Sequence, residues 1–121
     1  MKNKNMLKSF RCAFSGFFSA IRRERNMKIH LVAMTLVIIA GFLLKINYLE
    51  WIACSLCFAL VIGFEMINTA IETAIDIEVK DYNEKAKFAK DVSAGAVLVC
   101  AIFSAVVGLI IFLPKIINLF L

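Results

Sequence analysis

Three long apolar stretches, at about 29–46, 48–69 and 92–113, constrain this chain more than any other feature of its sequence. A helix needs about 20 predominantly apolar residues to cross a hydrocarbon core of about 30 Å, rising about 1.5 Å per residue. These stretches have that length and carry almost no charge. Composition agrees: 62% of the 121 residues are hydrophobic, with a single proline, whereas soluble domains average about 45–50% apolar residues. The excess has to be hidden in lipid, because a chain of this length has no large globular core to hold it. The expectation is an all-α membrane protein, an N-terminal amphipathic surface helix plus three transmembrane helices. They form one unit over 1–121, without room for a separate soluble catalytic domain.

Charge gives the orientation. Eight of the fourteen Lys and Arg fall in the first 28 residues, at Lys2, Lys4, Lys8, Arg11, Arg22, Arg23, Arg25 and Lys28. Four more lie in the polar stretch 72–91, and Lys45 and Lys115 alone mark the other connections. Positive residues stay on the inner side of a bilayer, so the N-terminus is expected in the cytoplasm of a bacterial cell, with the chain multi-pass in its plasma membrane. A basic block can also suggest nucleic acid, but beside apolar spans it reads as a membrane contact. Residues 6–24 place Leu7, Phe10, Phe14, Phe17, Phe18 and Ile21 at helical spacings, with basic residues mainly elsewhere. That is an amphipathic helix suited either to an anionic leaflet or to a partner protein. The apolar run begins too late for a cleavable signal peptide.

Several chemistries find no support. Cys54 and Cys57 make a CxxC inside an apolar helix, without nearby His or a second pair, so they read as small buried hydrophobes. There is no Gly-rich phosphate loop and no Ser-His-Asp set; His30, the one histidine, reads as interfacial. A nucleotide would have to be held by metal and charged side chains.

The unusual residues are in FEMINTAIETAID, 64–76. Glu65, Asn68, Thr69, Glu72 and Asp76 share one face of a helix within roughly 100° of arc. Carboxylates on a stripe continuous with a membrane span demand protonation, hydration or a cation. Glu72 and Asp76 also fit the plain role of a solvated helix end. Glu65 lies where a lipid hydroxyl would sit, within reach of a soluble co-substrate, as a general base requires. Lys90 and Asp91 open the third span and approach this face if the second and third spans are antiparallel neighbours. Such a pair suits a polyphosphate, and it is equally ordinary as boundary charge. An ion- or proton-coupled exporter using Glu65, or a scaffold indifferent to the stripe, are the rival readings.

The motif Glu65-x-x-Asn68-Thr69-Ala70-Ile71-Glu72-x-x-x-Asp76, continued by Ala89-Lys90-Asp91, resembles the prokaryotic diacylglycerol kinase family, small trimeric three-span enzymes that include undecaprenol kinases. The resemblance covers nearly the whole chain. It implies a lipid kinase using ATP and Mg2+, with Glu65 as catalytic base and Asn68 orienting the site. Glu24 and Glu72 are implied as ligands of the nucleotide's metal ion. Asp76, Asp81, Tyr82, Asn83, Lys90 and Asp91 are implied around the nucleotide. Phe14 and Phe17 join Glu65 as candidate contacts of the lipid. Sites composite between subunits of a homotrimer leave open that Glu24 comes from another chain. The segment from Glu24 to His30 resembles the Gram-positive branch, which puts undecaprenol ahead of diacylglycerol as acceptor.

Overall fold

A computed structural model describes residues 5–121. The described residues form four helices, α1 (Met6–Arg23), α2 (Arg25–Leu43), α3 (Tyr48–Glu78) and α4 (Glu84–Phe120). Lys2 and Lys4 of the basic block lie outside the described residues. Three helices, α2 to α4, are long and apolar enough to cross a membrane, as expected.

Helix α1 starts where the Asn5 side chain accepts a hydrogen bond from the Lys8 N–H at 2.8 Å, and it ends with Arg22 and Arg23 on its last turn. Both features suit the partial charges at helix ends. None of its residues is buried by the rest of the chain. The apolar side chains of Met6, Leu7, Phe10, Phe14 and Phe18 stay exposed, which leaves that face for the membrane interface. A single extended residue, Glu24 (φ −107°, ψ 120°), separates α1 from α2, closing one helix and opening the next.

The corner between α2 and α3 is built from local chemistry. Lys45 takes a left-handed backbone conformation at φ 53°. The Ile46 N–H bonds back to the Gly41 carbonyl at 3.1 Å and the Lys45 N–H to that of Phe42 at 3.4 Å, a Schellman closure. Asn47 then caps α3 by accepting from the Glu50 N–H at 2.9 Å, while the Glu50 carboxylate accepts from the Asn47 N–H at 3.0 Å. The second Glu50 oxygen accepts from Lys115 on α4 at 2.9 Å. One carboxylate thus caps α3 and ties it to α4.

Helices α3 and α4 pack most extensively, with α2 against α3 and α1 touching only α2 and α3. The protein-covered core is small: Ile46, Cys54 and Ile111, with Val37, Trp51, Phe58 and Val107 around them. Most large apolar side chains face outward, as expected where lipid supplies the apolar surroundings. Cys54 is buried and Cys57 half-buried, both as free thiols, in keeping with a packing role.

The element bounds differ from the expected spans in three places. Helix α2 begins at Arg25 rather than near 29. The polar stretch 72–91 is mostly helix, because α3 runs to Glu78 and α4 starts at Glu84, where Asn83 accepts from the Ala86 N–H at 3.0 Å. The third span, expected to end near 113, continues through Pro114 and Lys115 to Phe120 as part of α4. Proline removes one backbone bond, and membrane helices absorb that loss.

A methyl group on Gly41 would lie 2.6 Å from the Trp51 ring, whereas one on Gly16 meets nothing within 4 Å. Gly41→Ala is therefore expected to force Trp51 aside and cost about 1–3 kcal/mol. Gly16→Ala should gain roughly 0.5–1 kcal/mol from helix propensity. Thermal midpoints of the two variants in one detergent check both signs.

Candidate functional site

The acidic stripe expected on one helix face occupies the half of α3 that leads away from the Glu50 corner. Helix α3 has 31 residues, so at about 1.5 Å per residue it measures about 46 Å and overshoots a bilayer core by about 15 Å. The stripe lies on the part of α3 where the apolar stretch gives way to polar residues.

Glu65 is 2% exposed and Asn68 5%. Both are covered by neighbouring helices, and Ser93 of α4 is buried as well. Burial of this kind demands partners. Asn26 and His30 on α2, Glu24 at the α1–α2 bend and Glu72 two turns further along α3 lie near the Glu65 carboxyl. The bend at Glu24 therefore brings the end of the surface helix to the same site as the α3 stripe within one chain. Asn68 donates to the Glu72 carboxylate at 2.7 Å. Its own Oδ1 is buried without a hydrogen-bond partner, an acceptor directed into the site. The Thr69 hydroxyl bonds to the Glu65 carbonyl at 3.0 Å, so it serves the helix rather than the stripe.

Towards water, Lys90 of α4 bonds to Asp76 of α3 at 2.5 Å, which brings the two clusters together across antiparallel helices as expected. Asp91 pairs with Lys87 at 2.6 Å on its own helix. Asp76, Asp81, Tyr82, Asn83, Lys90 and Asp91 line a single cleft of about 400 Å³ at the α3–α4 turn. Lys80 and Lys87 complete its charged rim. Glu24 and Glu72 lie outside that lining, one level nearer the membrane. Among the described residues, no three His, Cys, Asp or Glu side chains group closely enough to hold a metal ion alone. Phe14 is 60% exposed, and Phe17 is half-buried with its ring edge-on to Phe18 at 5.4 Å between centroids. Neither completes a pocket with Glu65 in a single chain.

Chain-order reasoning missed Lys80 and Lys87 in the cleft, and Asn26 and His30 beside Glu65. The last two are four apart on α2, so a shared helix face was the available signal; only packing shows that the face meets Glu65.

The sequence model for prokaryotic diacylglycerol kinase matches residues 11–112, taking in the stripe, the turn cleft and all three spans. The chain belongs to the prokaryotic diacylglycerol kinase family. It is 42% identical over 108 residues to an undecaprenol kinase of Bacillus subtilis (strain 168), covering 89% of this chain and 88% of that one. A diacylglycerol kinase of Synechocystis sp. is 40% identical over 116 residues, 95% of this chain and 66% of that longer protein. A diacylglycerol kinase of Helicobacter pylori (strain J99) is 36% identical over 103 residues, 84% of this chain and 80% of its own. This family member is accordingly an ATP-dependent lipid kinase of the membrane, and the exporter and scaffold readings fall away.

Asn68 holds the Glu72 carboxylate in place, so Asn68→Leu is expected to lower lipid phosphorylation by about 10–100-fold, the usual effect of losing a partner that orients a functional carboxylate. The same change removes the unpaired Oδ1 and should leave the thermal midpoint unchanged or higher. Labelled-ATP turnover together with a melting curve separates the two effects.

Proposed function

We propose that this lipid kinase transfers the γ-phosphate of ATP to the terminal hydroxyl of undecaprenol, with diacylglycerol the poorer acceptor, and that Glu65 is the general base. The observation that carries this reading is the burial of the Glu65 carboxylate in the seam of a membrane helix, one turn from the Asn68–Glu72 pair. A lipid alcohol remains at membrane depth and ATP remains in water. A base serving both has to sit where the stripe crosses between them.

Glu65 accepts the hydroxyl proton as the lipid oxygen bonds to the γ-phosphorus. The bond from that phosphorus to the bridging oxygen of ADP breaks, and Glu65 later returns its proton to water. Lys90, Asp76 and Asp91, with Asp81, Tyr82 and Asn83, position the nucleotide in the turn cleft. Mg2+ fits the donor set, because the Glu24 and Glu72 carboxylates are hard oxygen ligands. This ion commonly uses one or two protein carboxylates and completes its shell with phosphate and water. When bound, it neutralises charge on the phosphates. The unpaired Asn68 Oδ1 beside Glu72 adds an acceptor for a hydrated cation.

The undecaprenol preference draws support from the Bacillus subtilis relative and from the Gram-positive character of the Glu24–His30 segment. Positive charge at the end bearing the N-terminus supports a cytoplasmic site in a bacterial plasma membrane. A homotrimer accords with the outward-facing apolar side chains of α2 to α4, and the approach of Glu24 to Glu65 within one chain favours each subunit using its own Glu24.

Glu65→Gln is expected to reduce phosphoryl transfer by at least about 10²–10⁴-fold while ATP binding stays at the wild-type level. Turnover at the wild-type rate by that variant would remove Glu65 from the base role. Relative kcat/KM for undecaprenol and diacylglycerol in one detergent tests the acceptor, since specificity is the ratio of those values. The expected ratio favours undecaprenol, and a clear preference for diacylglycerol overturns the assignment.

A further inference from the structure

Helices α3 and α4 are joined by two ion pairs, Glu50 with Lys115 and Asp76 with Lys90. Between the two pairs α3 advances 26 residues while α4 retreats 25. The antiparallel helices therefore keep step along their length, and each pair locates the next rung. Ser93 follows Lys90 by three residues on α4, and Glu72 precedes Asp76 by four on α3. Such spacings keep each residue on the face of its neighbour, so Ser93 and Glu72 form the rung one turn in from the Lys90–Asp76 pair. Another turn brings Val97 on α4 level with Asn68 on α3.

Burial agrees with this order. Ser93 and Val97 are 8% exposed and Asn68 5%. Among the described residues α4 packs on no helix but α3, so the cover over Ser93 comes from α3. Glu72 lies near the Lys90 amine, which puts its carboxylate on the side of α3 that meets α4.

Two polar groups flanking Glu72 remain unspent. Asn68 Oδ1 is buried without a hydrogen-bond partner. Thr69 and Thr73 on α3 donate their hydroxyls to the carbonyls four residues back, at 3.0 and 2.8 Å. The Ser93 hydroxyl makes no such bond and is left for a ligand.

The level of this rung indicates which ligand. Asp76 and Lys90 line the turn cleft. Glu65 lies eleven residues before Asp76 on α3, about 16 Å deeper at about 1.5 Å per residue. Ser93 and Glu72 stand about 6 Å into that interval. A nucleotide seated in the cleft and serving Glu65 has to extend its phosphates across the rung. A serine hydroxyl is a neutral donor, and its bond to an ionised phosphate oxygen is of the stronger kind.

We propose that the Ser93 hydroxyl donates a hydrogen bond to the terminal phosphate of the nucleotide, between the turn cleft and Glu65. The inference rests on the reading of the cleft as the nucleotide site. It adds a group on α4 that distinguishes a triphosphate from a diphosphate.

The test measures nucleotide binding to the full-length protein in detergent with Mg2+ present. The probes are AMP-PNP, which keeps a terminal phosphate, and ADP, which lacks it. Ser93→Ala should weaken AMP-PNP binding about tenfold or more, as expected for one lost hydrogen bond to a charged group. ADP affinity should stay at the wild-type level. Alanine is the best helix former, so the thermal midpoint should remain near that of the wild type. If this variant does not fold, Ser93→Cys keeps the bulk with only a weak donor and should split the two nucleotides in the same direction. Equal losses for AMP-PNP and ADP overturn the proposal, because the change then acts on the cleft as a whole. Wild-type AMP-PNP affinity in a folded variant overturns it too. Lys90→Ala checks the underlying reading separately and should weaken both nucleotides. Wild-type ADP affinity in Lys90→Ala removes the nucleotide from the cleft, while a loss confined to AMP-PNP in Ser93→Ala still supports the contact with the terminal phosphate. Neither readout requires turnover or the acceptor lipid.

Discussion

Water is absent from the hydrocarbon that three of these helices cross, so every polar group there needs its partner within the protein or its substrate. The backbone meets that demand by folding as helix. Glu65 meets it by turning into the seam, where it is 2% exposed among groups from α2, the α1–α2 bend and its own helix. From that placement the rest of the site follows. Asn68 and Glu72 lie one and two turns closer to water on the same face, and Asp76 lies where α3 has left the hydrocarbon and can meet Lys90. The stripe runs along α3 from the buried Glu65 to the exposed Asp76, in the direction in which the helix leaves its apolar window, as the proposed reaction between a lipid and a soluble nucleotide requires.

That ordering requires α3 and α4 to keep one axial register over about 45 Å. Protein-covered core contributes little, since few side chains are buried by the chain itself. The register is held at both ends instead. At one end Glu50 caps α3 and pairs with Lys115, both partly buried, in a geometry in which removing either partner strands the other. At the other, Asp76 and Lys90 meet across the turn in more exposed surroundings, where an ion pair contributes little to stability. The Glu50–Lys115 pair therefore does more to fix the register than the more exposed Asp76–Lys90 pair.

Much of this was legible in the chain. Helix type and number follow from apolar length, and the face-sharing of Glu65, Asn68, Glu72 and Asp76 follows from their spacing alone. The family motif adds their chemistry. The ends of the helices were less legible, because α3 and α4 carry polar residues well beyond the apolar windows. Ala, Glu and Lys favour helix in water as much as Leu does in lipid, so hydropathy falls off before the helix does. Pro114 stands just past the expected end of the third span near 113 without ending α4, since a proline that ends helices in soluble proteins is tolerated within a membrane bundle.

By itself, then, the sequence determined that the chain is helical, that it spans the membrane, and which side chains share the acidic face, because these depend on transfer energies and on a helical period that are local properties. The tertiary structure alone decided what that face looks at. The extended backbone at Glu24 and the packing of α2 bring Asn26 and His30 to Glu65, the turn after Glu78 gathers the charged residues into one cleft, and an apolar groove opens between Phe58, Ala101 and Gly108. None of these follows from local spacing. Each depends on the rotation and axial register of one helix against another, which are set by contacts between residues far apart in the chain.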